Sequence, residues 1–444
     1  MKTNGPMPLV GGARLPLAFI GFGLMALVMA CVWLAITPSL GLTPHLHPHV
    51  VALAHLWLPG FLLSVCFGAT YQLTPVVLGA PLAWERVTWL HLGLHVAGLP
   101  LLAAGFLTGR MQLVATGGGL VAAGVLTFAA NVWATFARSE RRDAIGWSLP
   151  LACWWLALTV LGGLLLAAMK LGLSVAVSPL GLLRAHAHAG LAGFFLTLVQ
   201  GVAFQLVPMF TLGEVRRRWR IAAGLAGTQT GLVALTCGLA LDWSGVVWAG
   251  SAMIASGLVF SGIELVATLS ARRKRTLEPG LKAFVAGAAV VGMGAMVGLI
   301  LLWAEPGVEA LRGTMSYGVV VVGGALALMV MGMLCKIVPF LVWMRAYGPR
   351  VGRQPVPPAH TLGHPVWERV WLGLHVCGVV SLAVGVLMDS AAGVRVGAWL
   401  LAGGVFFFVM NAVRIVAHLR AKPPTALRLV KPTSAGTAVS NAAG

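Results

Sequence analysis

The chain has 444 residues, of which 59% are hydrophobic and only 9% charged, and its mean hydropathy is +0.92. That balance excludes a soluble fold, whose surface needs far more charge, so the length goes into membrane spans of about 20 residues each. The formal charge of +19 sits in short runs beside apolar segments, where anionic lipid is the natural partner, and does not mark a nucleic-acid binder.

Twelve apolar segments follow one another along the chain, centred on residues 16–38, 49–79, 87–108, 112–137, 147–169, 181–212, 220–241, 244–270, 283–303, 313–344, 367–388 and 394–419. They predict an all-α membrane domain over residues 16–420, with a cytoplasmic N-terminus at 1–15 and a Pro-, Ala-, Thr- and Ser-rich tail at 421–444 that reads as disordered. The first segment has the basic, glycine-rich lead of an export signal, and VMAC at 28–31 faintly resembles a lipoprotein site. The span that follows it and the charge pattern favour an uncleaved anchor. The segments starting near 49, 181 and 313 are the longest, which predicts tilt or a kink. With the N-terminus inside, 24 of the 30 Lys and Arg fall on the cytoplasmic side, Lys2 and the RRKR run at 272–275 among them. Five fall outside (Arg110, Lys170, Arg184, Arg312 and Arg395), and Lys336 lies within a span. The asymmetry predicts a multi-pass protein with both termini inside, in a cytoplasmic (inner) membrane of bacterial type. The six cysteines stand singly with no CxxC, which argues against a disulfide framework and against a thiolate metal site.

An internal repeat organises these segments. HLWLPGFLLSVCFGATYQLTP (His55–Pro75) aligns without gaps to HAGLAGFFLTLVQGVAFQLVP (His188–Pro208), with nine of 21 positions identical. A fainter copy, Val319–Pro339, keeps Gly324, Gly332 and Pro339. The twelve spans thus divide into three units of four, about 16–137, 147–270 and 283–420, with the motif on the second span of each. A second echo pairs WERVTWLHLGLHVAG at 84–98 with WERVWLGLHVCG at 367–378, making His95 and His375 equivalent; the middle unit has no histidine there.

The repeated glycines and prolines read as architecture. Gln72, Gln205 and Lys336 share one repeat position. They are expected to bond backbone across helices, or to form part of a proton path, with Lys336 snorkelling or pairing with Glu264, the clearest intramembrane acid. His55 and His188 are harder to dismiss. They stand at one depth near the outer side, on equivalent helices, with no acid nearby, and neutral imidazole is a good ligand for iron or copper. His186 is about 200° around the helix from His188, so the two are not expected to bind one metal. His91 and His95, four residues apart, share a face. His95 and His375 lie toward the cytoplasmic side and either bind a second cofactor or cap a polar network. HLHPH at 45–49 reads as a solvated outer loop, with copper or zinc capture as the alternative. His360, His364 and His418 receive no role.

Twelve spans, three four-helix units and second-span histidines resemble subunit I of the haem-copper oxidase superfamily. The phrase HAHAGLAGFFLTLVQGVAFQLVPMF resembles the sixth span of C-family oxidases and bacterial nitric oxide reductases. The resemblance implies three arcs of four helices around pseudo-threefold pores. It implies His55 as a ligand of a low-spin haem, b-type, and His188 as a copper ligand. It also implies electron transfer or the handling of oxygen or nitric oxide, with a quinol or an electron-donor protein as partner and an oxidoreductase as the activity. The chain departs from the family in having no histidine at 220–241 or 313–344, where the copper pair and the two tenth-span haem ligands belong, so the set for oxygen reduction is incomplete. The sequence is expected to be a divergent, stand-alone relative. Two rival readings stay open: a histidine-lined proton or metal-ion transporter, and an assembly or scaffold subunit without cofactors.

Overall fold

A computed structural model describes residues 13–420 of the chain. The tail expected at 421–444 and the first twelve residues, Lys2 included, lie outside the described residues. Among the described residues, twelve helices are long and apolar enough to cross a membrane: α1 (Arg14–Ile36), α2 (Pro48–Leu78), α3 (Val87–Thr108), α4 (Met111–Arg138), α5 (Ala144–Lys170), α6 (Pro179–Thr211), α7 (Arg218–Ala240), α8 (Ser244–Ser270), α9 (Pro279–Leu301), α10 (Val308–Ala346), α11 (Pro365–Leu387) and α12 (Ala391–Arg420). Several begin before their apolar run does, because polar residues start them. Pro48, Pro179, Pro279 and Pro365 sit in first turns, where the missing N–H costs nothing. Asp143, Ser178 and Ser390 cap α5, α6 and α12 by accepting from the Gly146, Gly181 and Gly393 N–H groups at 2.9, 2.9 and 3.1 Å.

The threefold repeat is visible in the backbone. Gly79 and Leu212, 133 residues apart, both end a second span with positive φ, 66° and 53°. The turns from third to fourth span pivot on Gly109, Asp242 and Asp389, with φ of 68°, 55° and 53°. Those spans form tight hairpins: a Cβ on Gly98, Gly231 or Gly378 would stand 2.8, 2.6 or 3.1 Å from the carbonyl oxygen of Gly117, Gly250 or Gly397, so only glycine permits this approach. The fourth spans hold the loops. Asn131 accepts from Trp84 N–H at 3.1 Å, and Asn411 accepts from His364 N–H at 2.7 Å. Glu264, the equivalent residue of the middle unit, accepts from the Arg216 and Arg217 N–H groups at 2.6 and 2.9 Å.

The three second spans, α2, α6 and α10, form the centre, where Val65, Val199 and Met333 help to enclose a cavity of about 70 Å³. Each of these spans winds as a π-helix over one stretch at the same repeat position: Leu56–Leu63, Ala189–Leu196 and Val320–Ala327. The wider winding leaves carbonyls for side-chain donors, and those carbonyls are bonded. The Ser64 hydroxyl donates to Pro59 O at 3.2 Å and the Thr197 hydroxyl to Ala192 O at 3.4 Å. In the third unit His375 Nε2 donates to Gly323 O at 2.9 Å.

Candidate cofactor cavity and the buried histidines

The three π-helical stretches begin directly after His55, His188 and Val319. A cavity of about 590 Å³ lies in the half of the bundle that holds the first turns of α2 and α6, walled by α6 to α11 with parts of α1, α2 and α12. Its lining is mostly aliphatic, with polar side chains from His45, Arg184, His188, Ser251, Thr314 and Tyr317 and the indole of Trp57. Val319 also lines it, so the third unit offers a methyl surface where the first two have imidazoles.

His188 Nδ1 lies 2.8 Å from Arg184 O. A carbonyl only accepts, so Nδ1 carries the proton and Nε2 the lone pair, which is the tautomer a metal ligand needs. His55 is arranged in the same way, with Nδ1 2.8 Å from Val51 O, and so is His186, with Nδ1 2.8 Å from Thr159 O. The three rings do not share one compartment. His188 lines the large cavity. His55 packs on Phe106 of α3, ring centroids 4.8 Å apart. His186 lies over Gly162 and Gly163 of α5. Among the described residues no three of His, Cys, Asp or Glu converge on a point that could hold a metal ion.

His95 and His375 cap polar networks. His95 Nε2 is 2.8 Å from Ser64 Oγ, which donates onward to Pro59 O, so the imidazole serves the freed π-helical carbonyl through a hydroxyl. His375 serves Gly323 O directly. In the middle unit Gln229 does this work: its amide donates to Thr197 Oγ1 at 2.8 Å while its oxygen accepts from Trp155 Nε1 at 2.7 Å. The missing middle-unit histidine is thus replaced by an amide with the same task, and no compositional signal in the sequence pointed to it.

Gln205 accepts from Arg141 Nη1 at 2.8 Å, and the same guanidinium nitrogen donates to Val77 O at 2.8 Å, tying the first unit to the second. Gln72 is buried with Oε1 unpartnered. The expected pairing of Lys336 with Glu264 does not occur. Lys336 pairs with Glu278, which stands just before α9 beside α10 and also meets Lys274. Glu264 is fully buried on α8, committed to the loop entering α7 and to Arg220 Nη1 at 3.4 Å. Sequence reasoning missed Glu278 because it sits outside the apolar run. It also missed Arg184 and His45 as cavity-lining residues; burial, with the Arg184 charge nearby, holds the His45 imidazole below its ordinary pKa, so it is neutral at pH 7.

No family model matches the chain, and no curated protein matches it in sequence. Its fold has a solved counterpart, from a cryo-EM structure described as a heme-copper terminal oxidase dimer. The TM-score is 0.60 at 16% identity, over 92% of this chain and 83% of that one. At that identity the likeness concerns fold, and the chain has the twelve-helix fold of a haem-copper oxidase subunit I.

Proposed function

We propose that this chain is a membrane haem protein in which His188 would be the ligand supplied by the protein, serving gas handling or single-electron transfer rather than oxygen reduction. The observation that carries the reading is His188 itself: an imidazole with a backbone-fixed tautomer and a free Nε2, lining an apolar cavity of about 590 Å³. That volume lies within the range of cofactor pockets, roughly 300–1,000 Å³.

The residues present fit a b-type haem. Aliphatic walls from α7 to α10 suit a porphyrin face, and Arg184 with His45 lies where carboxylates would need polar company. When bound, haem would supply one-electron chemistry and affinity for oxygen or nitric oxide. The chain would hold the group through His188 and exclude water with the aliphatic lining, while Val319, at the repeat position of His55 and His188, offers no ligand. A three-histidine copper centre lacks its donors, since residues 220–241 contain no histidine. A quinol or redox protein as electron donor and a bacterial-type cytoplasmic membrane are the setting this reading calls for.

The resemblance assigns the haem to His55; the cavity favours His188, and the two are separable. In protein from a haem-replete host, we expect a Soret band that His188→Ala removes and His55→Ala retains. The reverse pattern would return the ligand role to His55 and overturn this assignment. A cofactor-free scaffold is the second reading, favoured by the structural employment of His95 and His375. A folded preparation with no haem would end the haem reading and leave this one standing beside the transporter.

A further inference from the structure

A pair of imidazoles in the first unit stands apart from the large cavity. His91 and His95 of α3 are fully buried, lie one helical turn apart, and have ring centroids separated by 6.1 Å. Each has one nitrogen bonded to a hydroxyl: His91 Nδ1 lies 2.9 Å from Tyr71 Oη, and His95 Nε2 lies 2.8 Å from Ser64 Oγ. The other nitrogen of each, His91 Nε2 and His95 Nδ1, is buried without a partner. Ser64 donates its own proton to Pro59 O, so His95 Nε2 must be the donor in that contact and Nδ1 carries a lone pair. Phe19, Phe67 and Phe128 surround the rings, with centroid distances to His91 of 4.9, 4.3 and 5.6 Å.

We propose that His91 Nε2 and His95 Nδ1 form a two-coordinate site for a soft monovalent metal ion, with copper(I) as the probe. A pair four residues apart on one helix face is the spacing by which helices present two imidazoles to one metal. A ring centroid lies little more than 1 Å from each nitrogen, and metal–nitrogen bonds are about 2.0 Å, so two collinear bonds separate the centroids by roughly 6 Å. The hydroxyl on the far nitrogen of each ring is the outer partner that metal-bound histidines ordinarily have. Zinc asks for four ligands, and no carboxylate or third ligand converges here among the described residues. A monovalent ion with two neutral ligands also brings the least charge into an aromatic interior.

The test is copper content and copper spectroscopy on the full chain, purified anaerobically from copper-supplemented cells and re-incubated with copper(I). The expected result is a copper with two nitrogen ligands at about 1.9–2.0 Å by X-ray absorption. One copper per chain should be lost in each of His91→Gln and His95→Gln and kept in His188→Ala, which separates this site from the haem reading. Ser64→Ala should weaken copper(I) affinity by about 10- to 100-fold with the stoichiometry kept. Should the glutamine variants fail to fold, Gly124→Ala decides: its Cβ would stand 3.0 Å from His91 Cδ2 and push that ring by a few tenths of an ångström, so copper(I) affinity should fall there. No copper in the wild-type chain, or copper unchanged in both glutamine variants (copper(I) affinity unchanged in Gly124→Ala where they do not fold), overturns the site.

Discussion

His188 and His375 show one side chain used in two ways. Both stand in helices of the repeat units, but His375 is fully buried with Nε2 consumed by Gly323 O, whereas His188 is half-buried and lines a cavity. Removing His375 therefore orphans a carbonyl in a setting with little water. His375→Leu is expected to destabilise the fold by about 1–3 kcal/mol and to leave haem content unchanged; thermal unfolding in detergent alongside the visible spectrum checks both halves. Asp143 gives a pH signature at the start of α5. Burial pushes its carboxyl up, but the Arg141 guanidinium, the Gly146 N–H and Arg218 outweigh this and hold it below its ordinary value of 3.8. A carboxylate depressed in the folded state stabilises above its unfolded pKa, and that stability is lost as pH falls through the lower folded value. Asp143→Asn should thus melt earlier than wild type at pH 7, with the gap closing below about pH 4; a gap constant from pH 7 to 3 would show that the charge contributes nothing. These roles were partly legible. Two histidines at equivalent positions marked His55 and His188, but which compartment each faces depends on the packing of α3, α5 and α9, which the repeat does not encode.

At the scale of helices, the recurring device is a span too long for one winding, relaxed by a π stretch whose loose carbonyl is bonded by the third helix of the same unit, directly in the third unit and through Ser64 or Thr197 in the first two. Hydropathy could not reveal it, because LWLPGFLL, AGLAGFFL and VVVGGALA read as ordinary apolar helix. What the repeat did expose was the place: the identical His55 and His188 stand just before the stretch, and the identical Gly68 and Gly201, Gln72 and Gln205, and Pro75 and Pro208 follow it. The helices that supply the donors are themselves fixed by glycine-to-backbone hairpins. Gly231→Val is a sharp probe of that layer. Its Cβ would meet Gly250 O at 2.6 Å and Ile254 N at 2.7 Å, backbone that cannot swing aside. The α7–α8 hairpin must then splay and draw Gln229 away from Thr197. The expected result is a loss of several degrees in Tm, and greater protease sensitivity around the turn at Asp242, than Gly262→Val produces; a Cβ at Gly262 meets nothing within 4 Å. Equal behaviour of the two variants would mean that the hairpin contact carries no weight.

Across the whole molecule the three units close a ring through α12 on α1, α4 on α5 and α8 on α9, and the last seam has the least contact. The imbalance follows from the sequence of α9, where Met293, Met296, Val297 and Ile300 face outward at 57%, 60%, 39% and 64% exposure. These residues suit lipid better than a helix partner. The large cavity lies directly behind that seam, with Ser251 and Ile254 of α8 and Gly294 and Gly298 of α9 among its lining. A threefold repeat read from sequence implies three equal seams. The structure departs from that symmetry where the third unit is most divergent, since Val319–Pro339 keeps so little of the motif. An apolar cavity with its thinnest wall toward the acyl chains should admit lipid-soluble molecules more readily than aqueous ones. Ser251→Cys tests this in a chain whose exposed Cys237 and Cys377 are replaced by alanine. A thiol reagent that partitions into the bilayer should label the cysteine in proteoliposomes, and a charged, impermeant reagent should not. Labelling by the impermeant reagent from the outer side would instead place the entrance at Arg184 and His45, and the cavity would exchange with water.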